Sequence, residues 1–262
     1  MHEIADIACN FTSDRFEKDL DEVIERAIAN NITKFGLICS RLSDIDKLLE
    51  IFNRYSKDMY FTIGVHPHHA NEINEKYLKK LKESISNNNP HAIGETGLDF
   101  FRNLSTYEEQ IFAFEEQIKI AIDANKPLFL HQRDSHDDFI KILRKYSSEI
   151  SKAVVHCFTG TRQQLDDYLE LDCYIGITGW ICDAKRNVEL RKTIKNIPLE
   201  RLMIETDCPY LIPKNLPEKP KNNRNEPNNL NHIVAEISAL INIDEDILRD
   251  KTFKNTLDFF II

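Results

Sequence analysis

Glu95, His131 and His156 are far apart in the chain, yet together they supply one carboxylate and two imidazoles. That donor set suits a divalent ion with coordination positions left open for water. A lone histidine at a strand end more often hydrogen-bonds a neighbour than binds a metal, so the indication lies in the three residue types occurring together. Asp207 adds a carboxylate that either ligates such an ion or accepts a proton from water that the ion acidifies. Glu205 points to the same side if its strand continues, as a second catalytic carboxylate or as one half of an interior ion pair. In Gly64-Val65-His66-Pro67-His68-His69, His66 is placed to contact a scissile phosphate or leaving oxygen as a protonated imidazole. His68 is a further substrate contact, and His69 is expected at the surface. Arg133, in His131-Gln132-Arg133-Asp134, either forks onto a phosphate or pairs with Asp134.

Residues so dispersed need a scaffold that gathers them. Short runs rich in β-branched and aromatic residues alternate with longer runs of helical period along the whole chain, the pattern of βα units. The expected strands are Ile4 to Ala8, Lys34 to Cys39, Tyr60 to Val65, Ala92 to Glu95, Leu128 to His131, Val154 to His156, Tyr174 to Thr178 and Leu202 to Thr206. Between them lie amphipathic stretches such as Tyr107 to Asn125, where Ile111, Phe114, Ile118, Ile120 and Ile122 mark an apolar side. Eight such units predict an α/β fold, either a closed TIM (β/α)8 barrel or a doubly wound open sheet. An open sheet concentrates reactive groups at one switch point, whereas here they follow the C-terminal ends of many strands. Only a barrel mouth brings Asp6, Asn10, His66, His68, Glu95, His131, His156 and Asp207 together. The 262 residues match one barrel of roughly 250 residues, so a single domain over 1–262 is expected.

The segment Cys208 to Asn229 holds five of the nine prolines and no helical period, the profile of a functional loop or of a solvated linker. Lys214, Lys219, Lys221 and Arg224 make it the best local basic patch for a phosphate-bearing substrate. Overall the chain is acidic, with net charge −9, which excludes a general nucleic-acid coat protein. A nuclease with a locally basic mouth and bound cations is not excluded. Hydrophobic content of 42% and charged content of 29% are ordinary globular values. No apolar run approaches the roughly 18 residues that span a bilayer, and Met1-His2-Glu3 does not open a signal peptide. The six cysteines contain no CxxC pair, so free thiols in a cytoplasmic protein are expected, not a thiolate zinc cluster.

These motifs resemble a known family. Gly64-Val65-His66-Pro67-His68, Gly94-Glu95-Thr96-Gly97-Leu98-Asp99-Phe100, His131-Gln132-Arg133-Asp134, His156-Cys157-Phe158-Thr159-Gly160, Glu205-Thr206-Asp207-Cys208-Pro209-Tyr210-Leu211 and Arg224-Asn225-Glu226-Pro227 look like the TatD-type metal-dependent hydrolases, in the family's order and over nearly the whole chain. The resemblance implies a TIM barrel, a cytoplasmic enzyme, a divalent-cation requirement and 3′-to-5′ hydrolysis of single-stranded DNA. It also implies metal ligation by Glu95, His131, His156 and Asp207, with His66 at the substrate phosphate. Many members begin Asp-x-His-x-His, whereas this chain reads Asp6-Ile7-Ala8-Cys9-Asn10, so two imidazole ligands are absent. With Asn10-Phe11-Thr12-Ser13 and Ile175-Gly176-Ile177-Thr178-Gly179-Trp180, this is similar to the TatD subfamily proper. One tightly held ion is then expected, with a second entering alongside substrate because phosphate oxygens complete a Mg²⁺ shell.

The expected activity is thus a metal-dependent 3′–5′ exonuclease on single-stranded DNA or RNA, acting in DNA repair or degradation as a monomer. Mg²⁺ is the ion the resemblance implies, whereas two histidines favour Zn²⁺ or Mn²⁺. Two other readings remain open from the residues. A metal-activated hydroxide attacks carbonyl carbon as readily as phosphorus, which leaves an ester or amide hydrolase such as an aminoacyl-tRNA deacylase. A non-catalytic metal or nucleic-acid binding protein that lost turnover with the Ala8 and Asn10 replacements is the third.

Overall fold

The computed structural model of the chain describes residues 2–220 and 222–262; Lys221, an expected substrate cation, lies outside them. Eight parallel strands run in sequence order around one sheet: β1 (Ile4–Cys9), β2 (Ile32–Leu37), β3 (Met59–Ile63), β4 (Ala92–Asp99), β5 (Leu128–Arg133), β6 (Ala153–Val155), β7 (Tyr174–Ile177) and β8 (Leu202–Ile204). A parallel bridge between Cys9 and Cys208, with the Asn10 N–H donating to the Cys208 carbonyl at 2.9 Å, brings the last strand back to the first. The sheet therefore curls into the expected barrel, and the open-sheet alternative falls.

Helices α1 (Leu20–Ile28), α2 (Ile45–Arg54), α3 (Glu75–Asn88), α4 (Tyr107–Asp123), α5 (His136–Tyr146), α6 (Arg162–Glu170) and α7 (Val188–Thr193) each follow one strand, and α8 (Leu230–Ile241) and α9 (Glu245–Phe260) follow β8. Their apolar stripes pack on the outside of the sheet, as the helical period requires. Capping boxes start α4 at Thr106 and Glu109 and α6 at Thr161 and Gln164, satisfying N–H groups that have no partner inside the helix. None of the described helices is long and apolar enough to cross a membrane.

Two features of the packing bear on the site. The N-terminal end of the barrel is closed by α9, whose Phe260 lies 4.3 Å from the Tyr60 ring and whose Phe259 lies 5.4 Å from Tyr174. Ala92, Phe129, Val154 and Met203 complete that buried plug. The opposite, C-terminal end is the one left for chemistry.

The second feature is β4, expected to end at Glu95 but continuing to Asp99. Its glycines make this possible. Gly94 and Gly97 adopt φ +147 and +146, and a Cβ built there would meet the Phe129 carbonyl oxygen at 2.2 Å and the His131 carbonyl oxygen at 1.9 Å. Only glycine lets β4 press this closely on β5, and the register shifts between Ile93 and Thr96. Helix α4 then holds the extended strand through two buried amides. Gln110 accepts from the Asp99 N–H at 2.8 Å, and Gln117 accepts from the Val65 N–H at 2.7 Å while donating to Thr96 Oγ1 at 2.7 Å.

Candidate metal centre at the barrel mouth

Four consecutive strands and the segments that follow them deliver the central cluster. Glu95 projects from β4, His131 from β5, His156 from the residue after β6, and His66 from the loop after β3 that Gln117 pins at Val65. A single carboxylate oxygen, Glu95 Oε1, lies 2.9 Å from His131 Nδ1, 2.8 Å from His156 Nε2 and 3.2 Å from His66 Nε2. All four residues are shielded, Glu95 at 6% and His156 at 4% exposure, so their charges interact through little water.

Burial pushes the Glu95 carboxyl upward, but His66, His156 and His131 outweigh it and hold the group well below the usual carboxylate range. For His156 burial opposes the charge, and the Glu95 and Glu205 carboxylates overcome it, so the imidazole is raised well above its ordinary value. His131 is raised in the same way, against burial, by hydrogen bonding to Asp99 and Glu95. His66 goes the other way. Burial, reinforced by His131 and His68, outweighs Glu95 and pushes it down to about 4. The expected protonated His66 is therefore replaced by a neutral ring whose Nδ1 accepts from the His68 N–H at 3.0 Å, leaving Nε2 to carry the proton.

Behind this cluster stand two further carboxylates. Glu205 is fully buried; its Oε1 accepts from the Cys157 N–H at 2.5 Å and its Oε2 lies 3.4 Å from His156 Nδ1. It faces the back of His156 and not the open mouth, which is the interior-pair position among the two expected for it. Asp99 was not singled out from the sequence for any role. Its Oδ2 lies 2.7 Å from His68 Nε2 and 3.4 Å from His131 Nε2, while its Oδ1 accepts from the N–H groups of Phe101 and Arg102 at 3.0 and 2.8 Å. His131 and His156, each with one nitrogen on Glu95, thus turn the other toward a carboxylate, the arrangement that fixes tautomer and ring orientation in metal-ligating histidines.

Asp207 sits beyond β8 with φ +53, a left-handed backbone that aspartate tolerates better than most residues. Its Oδ1 accepts from the Asn10 amide at 2.9 Å. Burial, with Glu95 and Glu205 nearby, pushes its carboxyl up to about 7 against His156 and Asn10. Asn10 therefore serves as a neutral donor to Asp207.

The donor set fits a divalent cation. Glu95, Asp99, Glu205 and Asp207 bring four carboxylates to three rings, His66, His131 and His156, in a largely dry site. Glu205 Oε2 and His156 Nδ1 are buried without a hydrogen bond of good geometry, and positive charge at Glu95 Oε1 is what such a cluster calls for. His66, Glu95 and His131 place their donor atoms within 4.8 Å of one another.

The expected substrate contacts divide. His68 is half-buried beside Asp99, next to the His66 ring at 4.1 Å. Arg133 is exposed at the end of β5 and stacks over Phe101 at 3.9 Å; among the described residues it forms no ion pair with Asp134 or any other carboxylate. Arg224, expected to meet a phosphate, is 5% exposed. Its guanidinium grips Asp19 through two bonds of 2.7 Å and Glu226 through one of 2.6 Å, over the Phe16 ring. Its partners come from α1's approach and from its own loop, so it fastens that loop and has no free fork for substrate. Arg15 adds bonds to the Pro209 and Asn223 carbonyls.

Sequence and structure comparisons relate the chain to known proteins. The family described as TatD related DNase matches residues 5–261. A protein of Edwardsiella piscicida named 3′-5′ ssDNA/RNA exonuclease TatD is 41% identical over 255 residues, covering 97% of this chain and 98% of its own. One of the same name from Erwinia billingiae is 42% identical over 235 residues, covering 90% of each. Among solved structures, a TatD family hydrolase from Entamoeba histolytica superposes with TM-score 0.89 at 31% identity, covering 98% of both chains. A TatD homologue from Escherichia coli K12 gives 0.91 at 25% identity, covering 99% of this chain and 98% of that one. With a barrel, a carboxylate-imidazole centre and this similarity over essentially its full length, the chain belongs to the TatD-related DNase family of metal-dependent hydrolases.

Proposed function

We propose that the chain is a metal-dependent 3′–5′ exonuclease that hydrolyses phosphodiester bonds of single-stranded DNA or RNA. The observation that carries this reading is the convergence of His66, His131 and His156 on Glu95 Oε1 at 3.2, 2.9 and 2.8 Å. The relatives named for this activity match it over nearly their whole length.

Glu95, His131 and His156, with Asp207 beside them, are the residues to hold a divalent cation. Such an ion supplies Lewis acidity at a phosphoryl oxygen and acidifies water. Asp99 and Glu205 keep the two imidazoles in the tautomers that offer Nδ1 of His131 and Nε2 of His156. Asp207 has one oxygen tied to Asn10, which leaves Oδ2 to accept the proton of the attacking water. His66 donates from Nε2 to the phosphate as a neutral imidazole.

Mg²⁺ is the proposed ion, with Mn²⁺ and Zn²⁺ the competitors, and the six unpaired cysteines fit a reducing, cytoplasmic setting. A 5′-labelled single strand incubated after chelation, then with each metal restored, tests the reading. A metal-dependent ladder shortening from the 3′ end is expected. Intact DNA and RNA under every metal would overturn it in favour of an ester or amide substrate.

A further inference from the structure

An exposed aromatic ring beside an unpaired guanidinium gives a barrel mouth a surface on which a planar group can stack. Phe101 is 57% exposed, immediately after β4, on the same rim as the metal centre. Its backbone is anchored. Asp99 Oδ1 accepts from the backbone N–H groups of Phe101 and Arg102, and the Phe100 N–H donates to the Arg133 carbonyl at 2.9 Å. The Arg133 guanidinium lies 3.9 Å from the Phe101 ring centre, within stacking distance. No carboxylate among the described residues neutralises it. An exposed aromatic on an anchored backbone and an uncommitted planar cation thus stand side by side, two residues from Asp99 and His131 respectively.

We infer that Phe101 and Arg133 form a stacking platform for an unpaired nucleobase of the substrate strand, with the Arg133 fork turned to that nucleotide's phosphate. This rests on the nuclease reading and adds a base subsite to it. The chemistry selects the occupant. Bases stack on aromatic rings and guanidinium planes irrespective of sequence, and the neighbouring phosphate complements the free cation. A base paired and stacked within a duplex cannot offer its face, so the platform also favours single strands. The connection to the centre is short, since Asp99 faces His131 with one oxygen and holds the Phe101 loop with the other.

Exonuclease kinetics with Mg²⁺ on an oligonucleotide and on the same strand with an abasic unit at each of the last four 3′ positions in turn tests this. For the wild-type protein one abasic position lowers kcat/KM by about tenfold. Phe101→Ala lowers kcat/KM on the intact strand by a similar factor but loses less than about twofold on that abasic strand, while Phe101→Trp keeps the wild-type value on both. Arg133→Ala flattens the salt dependence of KM by roughly one counterion. Deoxy and ribo versions of the strand show which sugar the subsite accepts. Equal losses for Phe101→Ala on intact and abasic strands, or none on either, overturn the platform while leaving the nuclease reading standing. Absence of nucleotide release by the wild-type protein overturns that reading and the platform with it.

Discussion

His156 Nδ1 stands 3.4 Å from Glu205 Oε2, in a part of the barrel where Glu205 has no solvent exposure at all. Turning that carboxylate into an amide keeps the shape and removes the charge. Glu205→Gln is expected to weaken metal binding or activity by about ten- to a hundredfold. Calorimetric titration of the metal-stripped protein measures the first and oligonucleotide hydrolysis the second. Wild-type values in both would show that His156 needs no such partner.

His131→Ala and Asp207→Ala remove a ring and a carboxylate from the mouth, far from the aromatic plug and from the helical shell. Both should retain the wild-type circular dichroism spectrum and melt near its temperature. Hydrolysis should fall below about one per cent, because Lewis-acid catalysis of this kind is worth several kcal/mol. Full turnover in either variant refutes the assignment.

Arg224 contributes structure, not phosphate binding. Arg224→Ala leaves Glu226, at 17% side-chain exposure, and Asp19, at 37%, without their shared cation. Breaking a buried pair on one side costs about 3–5 kcal/mol; solvent around Asp19 and the Arg26 guanidinium that Glu226 keeps at 3.0 Å reduce this to about 1–3. Urea denaturation is the measurement. A variant as stable as the wild type, with weakened and less salt-dependent DNA binding, would return Arg224 to the substrate.

Asp6, fully buried, accepts from the Thr206 N–H at 2.9 Å and from the Ala8 N–H at 3.2 Å. Burial outweighs these bonds and pushes its carboxyl up to about 7. The folded state therefore holds a proton that the unfolded chain releases near pH 4, so stability declines as pH rises from about 4 to about 7. The contribution is at most roughly 4 kcal/mol. Asp6→Asn should flatten this slope in denaturation curves across that range; an unaltered slope would mean that Asp6 is ionised throughout.

The eight strands were legible because each is a short apolar run with a polar residue near its C-terminal end, as Leu128 to His131 and Leu202 to Thr206 illustrate. Glu95, His131 and His156 were legible for the same reason, as reactive types at successive strand ends. The second half of β4 was not, since Gly94 and Gly97 read as turn signals and their positive φ appears only when β5 presses against them. With that half-strand went Asp99, although its even spacing from Glu95 is the signal of a shared strand face. Arg224 looked like any other loop cation because its main partner, Asp19, lies 205 residues away.

Asp99 divides its two oxygens between unlike duties: Oδ2 faces His68 and His131, and Oδ1 fixes the start of the Phe101 loop. One side chain thereby couples ion retention to the shape of the rim. Changes to the rim that alter which strands are gripped must leave this carboxylate in place or loosen His131, so diversification of substrate preference in this barrel is channelled into side chains that Asp99 does not hold, such as those of Phe101 and Arg133, while Asp99 itself has almost no room to vary.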